Sequence, residues 1–242
     1  MNPLETLRFF LNYLCVKLLQ MNPFLKIGHR GAKGHKPENT LISFEKAIDF
    51  NVDGVELDVH LSLRGEIMVI HDETIDRTTN GKGFVKNFTS SELKELGIPT
   101  LIDVLDLVNR RCFINIELKG IGTAKPVVEL ITHYISEKNW KHTDFVVSSF
   151  DWNMLEEVRL LNPKIRIGVL TDVAVSEALA FAKKIKAVSI HPDYALLSRE
   201  NVALMQKNGF KVFSWTVNST EDIQKIKSFN VNGIISDFPD RI

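Results

Sequence analysis

GVELDVHLSLRGEIMVIH, residues 54–71, holds two strand-like runs split by a short turn, and its reading decides the fold. The runs GVELDVHLS (54–62) and EIMVIH (66–71) are separated only by LRG. Two independent strands here would give the chain nine; one strand continued into a hairpin extension gives eight. The other candidates are FLKIGH (24–29), CFINIELK (112–119), DFVVSSF (144–150), IRIGVLTD (165–172), AVSIHPD (187–193), KVFSWTVN (211–218) and GIISDF (233–238). Amphipathic stretches such as ENTLISFEKAIDF and KPVVELITHYISEKN lie between most of them. Short β runs alternating with helices predict parallel strands joined by right-handed crossovers. A three-residue link is too short for such a crossover, so the hairpin reading stands and eight units predict a (β/α)₈, or TIM, barrel of the α/β class. A doubly wound open sheet is the alternative, but IGHRGAKG after the first strand is not G-x-G-x-x-G.

The totals suit one domain. The 242 residues are 44% apolar, and Lys+Arg and Asp+Glu balance at 30 each. Zero formal net charge argues against bulk electrostatic binding of nucleic acid, so any anion recognition is local. Cys15 and Cys112 are far apart in apolar runs and are expected as buried free thiols, which suits a reducing, cytoplasmic setting. Residues 24–242 are expected to form the barrel domain. Residues 1–23 are expected as an amphipathic helix, with Asn2 as N-cap, Pro3 as first helical residue and a stripe of Leu4, Leu7, Leu11, Leu14 and Leu18. That helix is too short for a comfortable membrane span. Packing on the barrel, in place of a final helix that the text after residue 238 does not supply, is the favoured reading. Peripheral contact of residues 3–20 with a membrane is its rival.

Barrel active sites lie at the C-terminal strand ends, and here those ends are polar. Glu56 and Asp58 are two apart in one strand and so share a face; with Val55, Leu57 and Val59 toward the helices, both carboxylates point inward. Glu117 does the same between Ile116 and Leu118. Three carboxylates at one mouth repel unless partnered. A hard divalent cation, Mg²⁺ or Ca²⁺, resolves this; ion pairing to Arg30 and Lys119 is the other reading. His29 and His71 each end a strand on the same side, a pair suited to acid–base work. Arg30, Lys119 and the amides around Gly31 suit a phosphoryl group, and the set suggests metal-assisted displacement at phosphorus. Ser149 and His191 end strands four and six, and Trp215 and Asn218 lie at the end of strand seven. Glu38 opens the first helix, facing either the pocket or the helix N-terminus.

These residues resemble the glycerophosphodiester phosphodiesterase family over nearly all of 25–240. The resemblance rests on His29-Arg30-Gly31 with Pro37-Glu38-Asn39-Thr40, Glu56-x-Asp58, His71-Asp72, Glu117-Leu118-Lys119 and Asp237-x-Pro239-Asp240, in that order. It implies that Glu56, Asp58 and Glu117 bind one divalent cation, that His29 and His71 are the acid–base pair, and that Arg30 and Lys119 meet the phosphate. It also implies that Trp215 and Asn218 line the pocket. The implied reaction is hydrolysis of a small glycerophosphodiester to sn-glycerol 3-phosphate and an alcohol. A lysophospholipase D acting on lysophospholipids at a membrane surface is the alternative. The family's insertion before the third barrel strand corresponds to residues 73–109, with DRTTNGKG as a polar loop and SSELKELG as a short helix. Head group, choice of ion and oligomeric state are not readable from the residues.

Overall fold

The computed structural model describes residues 24–242; the expected N-terminal helix, with its packing or membrane role, lies outside the described residues. The strands are β1 (Leu25–Gly28), β2 (Gly54–Leu61), β3 (Ile67–Val69), β4 (Phe113–Leu118), β5 (Phe145–Ser149), β6 (Ile167–Thr171), β7 (Ser189–Pro192), β8 (Lys211–Ser214) and β9 (Gly233–Ser236). All but β3 pair in parallel, and β1 pairs with both β9 and β2, so eight strands close into a barrel. β3 is the hairpin extension expected of residues 66–71, antiparallel to the end of β2 with Val59 opposite Val69 and Leu61 opposite Ile67.

The helices are α1 (Leu41–Asp49), α2 (Ser90–Glu95), α3 (Leu101–Val108), α4 (Ala124–Glu137), α5 (Trp152–Leu161), α6 (Val175–Lys184), α7 (Arg199–Lys207) and α8 (Thr220–Ser228). Local chemistry sets where they start. Thr89 with Glu92 and Thr100 with Asp103 form reciprocal capping boxes at α2 and α3, and Thr40 caps α1 by accepting from the Ser43 amide. Each such cap contributes on the order of 1 kcal/mol.

The main core lies between barrel and helices, where Val55, Leu57, Val59, Ile114 and Ile116 meet residues such as Leu101, Val104 and Leu155. The opposite faces of those strands point into the barrel. Near its N-terminal end Ile27, Phe213 and Ile235 form a small apolar plug, with Phe113 stacked on Phe213 at 6.4 Å between centroids. Polar residues occupy the layer above. Residues from β3 to Pro99 carry a satellite core of Met68, Ile70, Ile75, Val85, Leu93 and Ile98, distinct from the main one. α3 returns to the main core through Leu101, Val104, Leu105 and Val108. No helix among the described residues is long and apolar enough to cross a membrane.

Candidate active site

Parallel pairing of β2 with β4 sets Glu56 opposite Asn115 and Asp58 opposite Glu117. All four side chains are therefore neighbours on the inner face. Carboxylate oxygens of Glu56, Asp58 and Glu117 lie within 4.8 Å of one another, and all three residues are buried.

β1 ends at Gly28 and the chain turns sharply. Arg30 adopts φ +50° and its amide donates to Glu56 Oε2 at 3.0 Å. Gly31 follows at φ +85°, where a Cβ would sit 2.7 Å from the Ser43 carbonyl oxygen, so only glycine fits. This turn brings His29 to the mouth. Its Nδ1 lies 2.6 Å from Asp237 Oδ1, leaving Nε2 toward the carboxylates, 3.9 Å from Glu56 Oε2. His71 leaves β3 with the same arrangement, Nδ1 being 2.6 Å from Asp72 Oδ1. A carboxylate on Nδ1 fixes the proton there and frees Nε2 for transfer. Burial outweighs these partners and holds both imidazoles below their ordinary pKa.

Arg30 and Lys119 stand over the carboxylates. Arg30 Nε is 3.2 Å from Asp58 Oδ2, and Lys119 Nζ is 2.6 Å from Glu117 Oε1 and 3.7 Å from Asp58 Oδ1. The buried Asn39 amide donates to Asp58 Oδ2 at 2.9 Å. These contacts do not satisfy the cluster. Glu56 Oε1 and Asp58 Oδ1 are buried without a hydrogen bond. Burial, and then repulsion from Asp58, push Glu56 well above the ordinary carboxylate range and Glu117 up to about 7. Three carboxylates against Lys119 and an Arg30 shared with Glu38 leave an excess of negative charge, which a divalent cation would offset. The donor set, all oxygen and with unpaired atoms facing one point, fits such an ion.

A cavity of about 170 Å³ opens over this cluster, with His29, Arg30, His71 and Lys119 on its polar side. Phe150 and Trp215 form its apolar wall, edge to face with centroids 5.3 Å apart.

The remaining expected site residues fall elsewhere. Asn218 holds Asp237, donating to Oδ2 at 2.8 Å and accepting its amide at 2.9 Å. Glu38 receives Arg30 at 2.7 Å and two bonds from Arg77 at 2.8 and 3.0 Å. Those bonds override burial and hold its carboxyl at about 2. Ser149 is buried under the rim, donating to the Leu118 carbonyl at 2.8 Å and accepting the Asp151 amide. His191 is fully buried one layer below the mouth, with Nε2 2.8 Å from Ser189 Oγ, and does not reach the cavity. Asp72, Arg77 and Asp237 complete the constellation. The adjacency in His71-Asp72 and the closing Asp237-x-Pro239-Asp240 were the available signals for two of them; Arg77 had none beyond the polar loop.

A family model described as the glycerophosphoryl diester phosphodiesterase family matches residues 29–241. The chain belongs to that family. A glycerophosphodiester phosphodiesterase of Caldanaerobacter subterraneus subsp. tengcongensis is 39% identical over 233 residues, covering 90% of this chain and 96% of that protein. One from Bacillus altitudinis is 39% identical over 235 residues, covering 88% and 94%. The crystal structure of the Thermotoga maritima glycerophosphodiester phosphodiesterase superposes with a TM-score of 0.78 at 34% identity, covering 89% of this chain and 96% of that one. A phosphodiesterase of Oleispira antarctica, solved in complex with the product sn-glycerol-3-phosphate, gives a TM-score of 0.80 at 26% identity, covering 89% and 94%. The family is one of phosphoric diester hydrolases on TIM barrels, which is the fold seen here.

Proposed function

We propose that this glycerophosphodiester phosphodiesterase hydrolyses its substrates to sn-glycerol 3-phosphate and an alcohol, with a divalent cation and with His29 and His71 as the acid–base pair. The observation that carries this is the convergence of three buried carboxylates and two carboxylate-oriented imidazoles on one cavity. Glu56, Asp58 and Glu117 would hold Mg²⁺ or Ca²⁺, which when bound supplies charge stabilisation at a phosphoryl oxygen. Arg30 and Lys119, freed in part from the carboxylates, bind and orient the phosphate oxygens. His29, sealed against Asp237 and neutral, takes the proton of the attacking oxygen at Nε2. His71 is the more open imidazole, its side chain 31% exposed against 13%, and can be reprotonated from solvent between turnovers. It therefore gives the proton to the leaving oxygen. The product complex of the Oleispira relative supports the same product here.

The test is release of glycerol 3-phosphate from glycerophosphodiesters with and without chelator, in wild type and in His29→Ala, His71→Ala and His142→Ala. His142 precedes β5 at the far end of the barrel. Loss in the first two variants by ~10²-fold or more, with His142→Ala unaffected, is the expected result. Full activity in both site variants would sink the assignment.

A further inference from the structure

We propose that a second, larger cavity beside the site seats the leaving alcohol and selects a polyol over a quaternary ammonium group, an inference that rests on the phosphodiesterase reading above. The cavity is about 550 Å³ and lies between the β1–α1 loop and the insertion. The carboxylate-lined cavity, at about 170 Å³, falls short of the ~300 Å³ at which ligand sites usually begin, whereas the larger one lies within that range. A diester has two alcohols, and one small cavity does not house both. His71 lines both cavities and is the lining residue they share. The group in the larger cavity is thus the one whose oxygen lies next to His71, which is the place of a leaving alcohol.

The lining states which alcohol. Lys33 is held only loosely, 3.8 Å from Glu38 and 3.9 Å from Asp237, and so offers its ammonium to a ligand. Arg77 is held by both Glu38 and Asp72, and the Glu38 carboxylate is in turn bound by Arg30 and Arg77, which leaves Lys33 as the loosely held charge of the lining. Thr78 and Thr79 line the same space, and no Phe, Tyr or Trp ring does among the described residues. A quaternary ammonium would meet the Lys33 ammonium and no Phe, Tyr or Trp face, the reverse of what binds it. Hydroxyl groups find the Lys33 ammonium and the Thr78 hydroxyl, while Thr79 Oγ1 donates to the Ile75 carbonyl, over an apolar floor that includes Leu96 and Ile98.

The test compares kcat/KM of the metal-loaded full chain for glycerophosphoglycerol, glycerophosphocholine and, as a small reference, glycerophosphoethanol. Glycerophosphoglycerol is expected to exceed glycerophosphocholine ~10-fold or more, the discrimination typical of a few polar contacts. Leu96→Trp in the floor and Thr78→Trp at the rim each narrow the cavity, and each is expected to lower the glycerophosphoglycerol-to-glycerophosphoethanol ratio ~10-fold. Equal or faster hydrolysis of the choline ester, or a ratio unmoved by both tryptophans, overturns the subsite. Hydrolysis of none of the three overturns the phosphodiesterase reading and the subsite with it.

Discussion

His191 converts burial into a measurable acid sensitivity. Its ring is fully buried, 5.2 Å from the Phe213 ring centroid and packed against Gly168, where any Cβ would collide with it. Nε2 has Ser189 Oγ, Nδ1 has no hydrogen bond, and no carboxylate offsets a positive charge, so burial lowers the pKa to about 3. In the unfolded chain the imidazole titrates near ~6.5. Below that value the unfolded state binds a proton that the folded state refuses, so stability falls as pH drops through ~6.5 and keeps falling toward 3. At pH 5 the gap is ~1.5 pH units at ~1.36 kcal/mol each, or about 2 kcal/mol. Urea unfolding of wild type and His191→Gln at pH 7.5 and pH 5.0 reads this directly. Gln keeps a polar partner for Ser189 and cannot titrate. Wild type should lose about 2 kcal/mol more than the variant between the two pH values, since contributions of other groups cancel in the difference. Equal losses would refute the reasoning and show that the ring is either solvated or already paired in the folded state.

Other outcomes follow from the same geometry. Gly31→Ala, forced to keep φ +85° against the Ser43 backbone, should cost more than ~2 kcal/mol in chemical denaturation and lower soluble yield. Asp237→Asn, which removes the acceptor that fixes the His29 tautomer, should lower kcat by ~10²–10⁴ while leaving the melting temperature within a few degrees. Mg²⁺ or Ca²⁺ should raise the melting temperature of wild type but not of Glu56→Gln, with ~2.7 kcal/mol gained at a hundredfold excess over Kd. Because Glu117 sits at about 7 and must lose its proton to act as a ligand, calorimetric affinity for the ion should rise from pH 6 to pH 8.

Much of this was legible in the text because it depends on period-two alternation. The inward set Glu56, Asp58 and Glu117 follows from the apolar residues that flank each of them, and the β2–β4 register then makes them neighbours. Depth was not legible. His191 alternates inward as expected, but the barrel mouth rises above it, with Trp215 closing over it through an Nε1 bond to the His191 carbonyl at 2.8 Å. Ser149 likewise ends a strand and spends its hydroxyl on backbone. Partners that meet only on closure of the barrel were hidden for another reason. His29 and Asp237 are 208 residues apart, and nothing local in either stretch states that β1 and β9 are neighbours. Arg77 lies in a loop without periodicity, and its pairing with both Glu38 and Asp72 is a product of the insertion's own fold.

The two histidines reach the same place from opposite directions, and the hairpin is the reason. β4 occupies one edge of β2 from Gly54 to Val59, so β1 and β3 share the other. β1 runs parallel to β2 and pairs with its first residues, Gly28 standing opposite Val55. β3 runs antiparallel and pairs with its last residues, and the Ile70 amide donates to the Asp58 carbonyl at 3.0 Å. The residue after Gly28 of the rising strand is His29, and the residue after Ile70 of the descending one is His71. They therefore close on the middle of β2, where Glu56 and Asp58 project into the barrel. Had residues 66–71 been a ninth parallel strand, His71 would have left the sheet at its top edge with the others, one of many polar residues at the rim. An antiparallel return is what sets a second imidazole facing the first across the carboxylates, with its backbone carbonyl pinned by His60 Nε2 at 2.9 Å. A slip of one residue in that hairpin would turn His71 to the other face and leave the carboxylates with one imidazole.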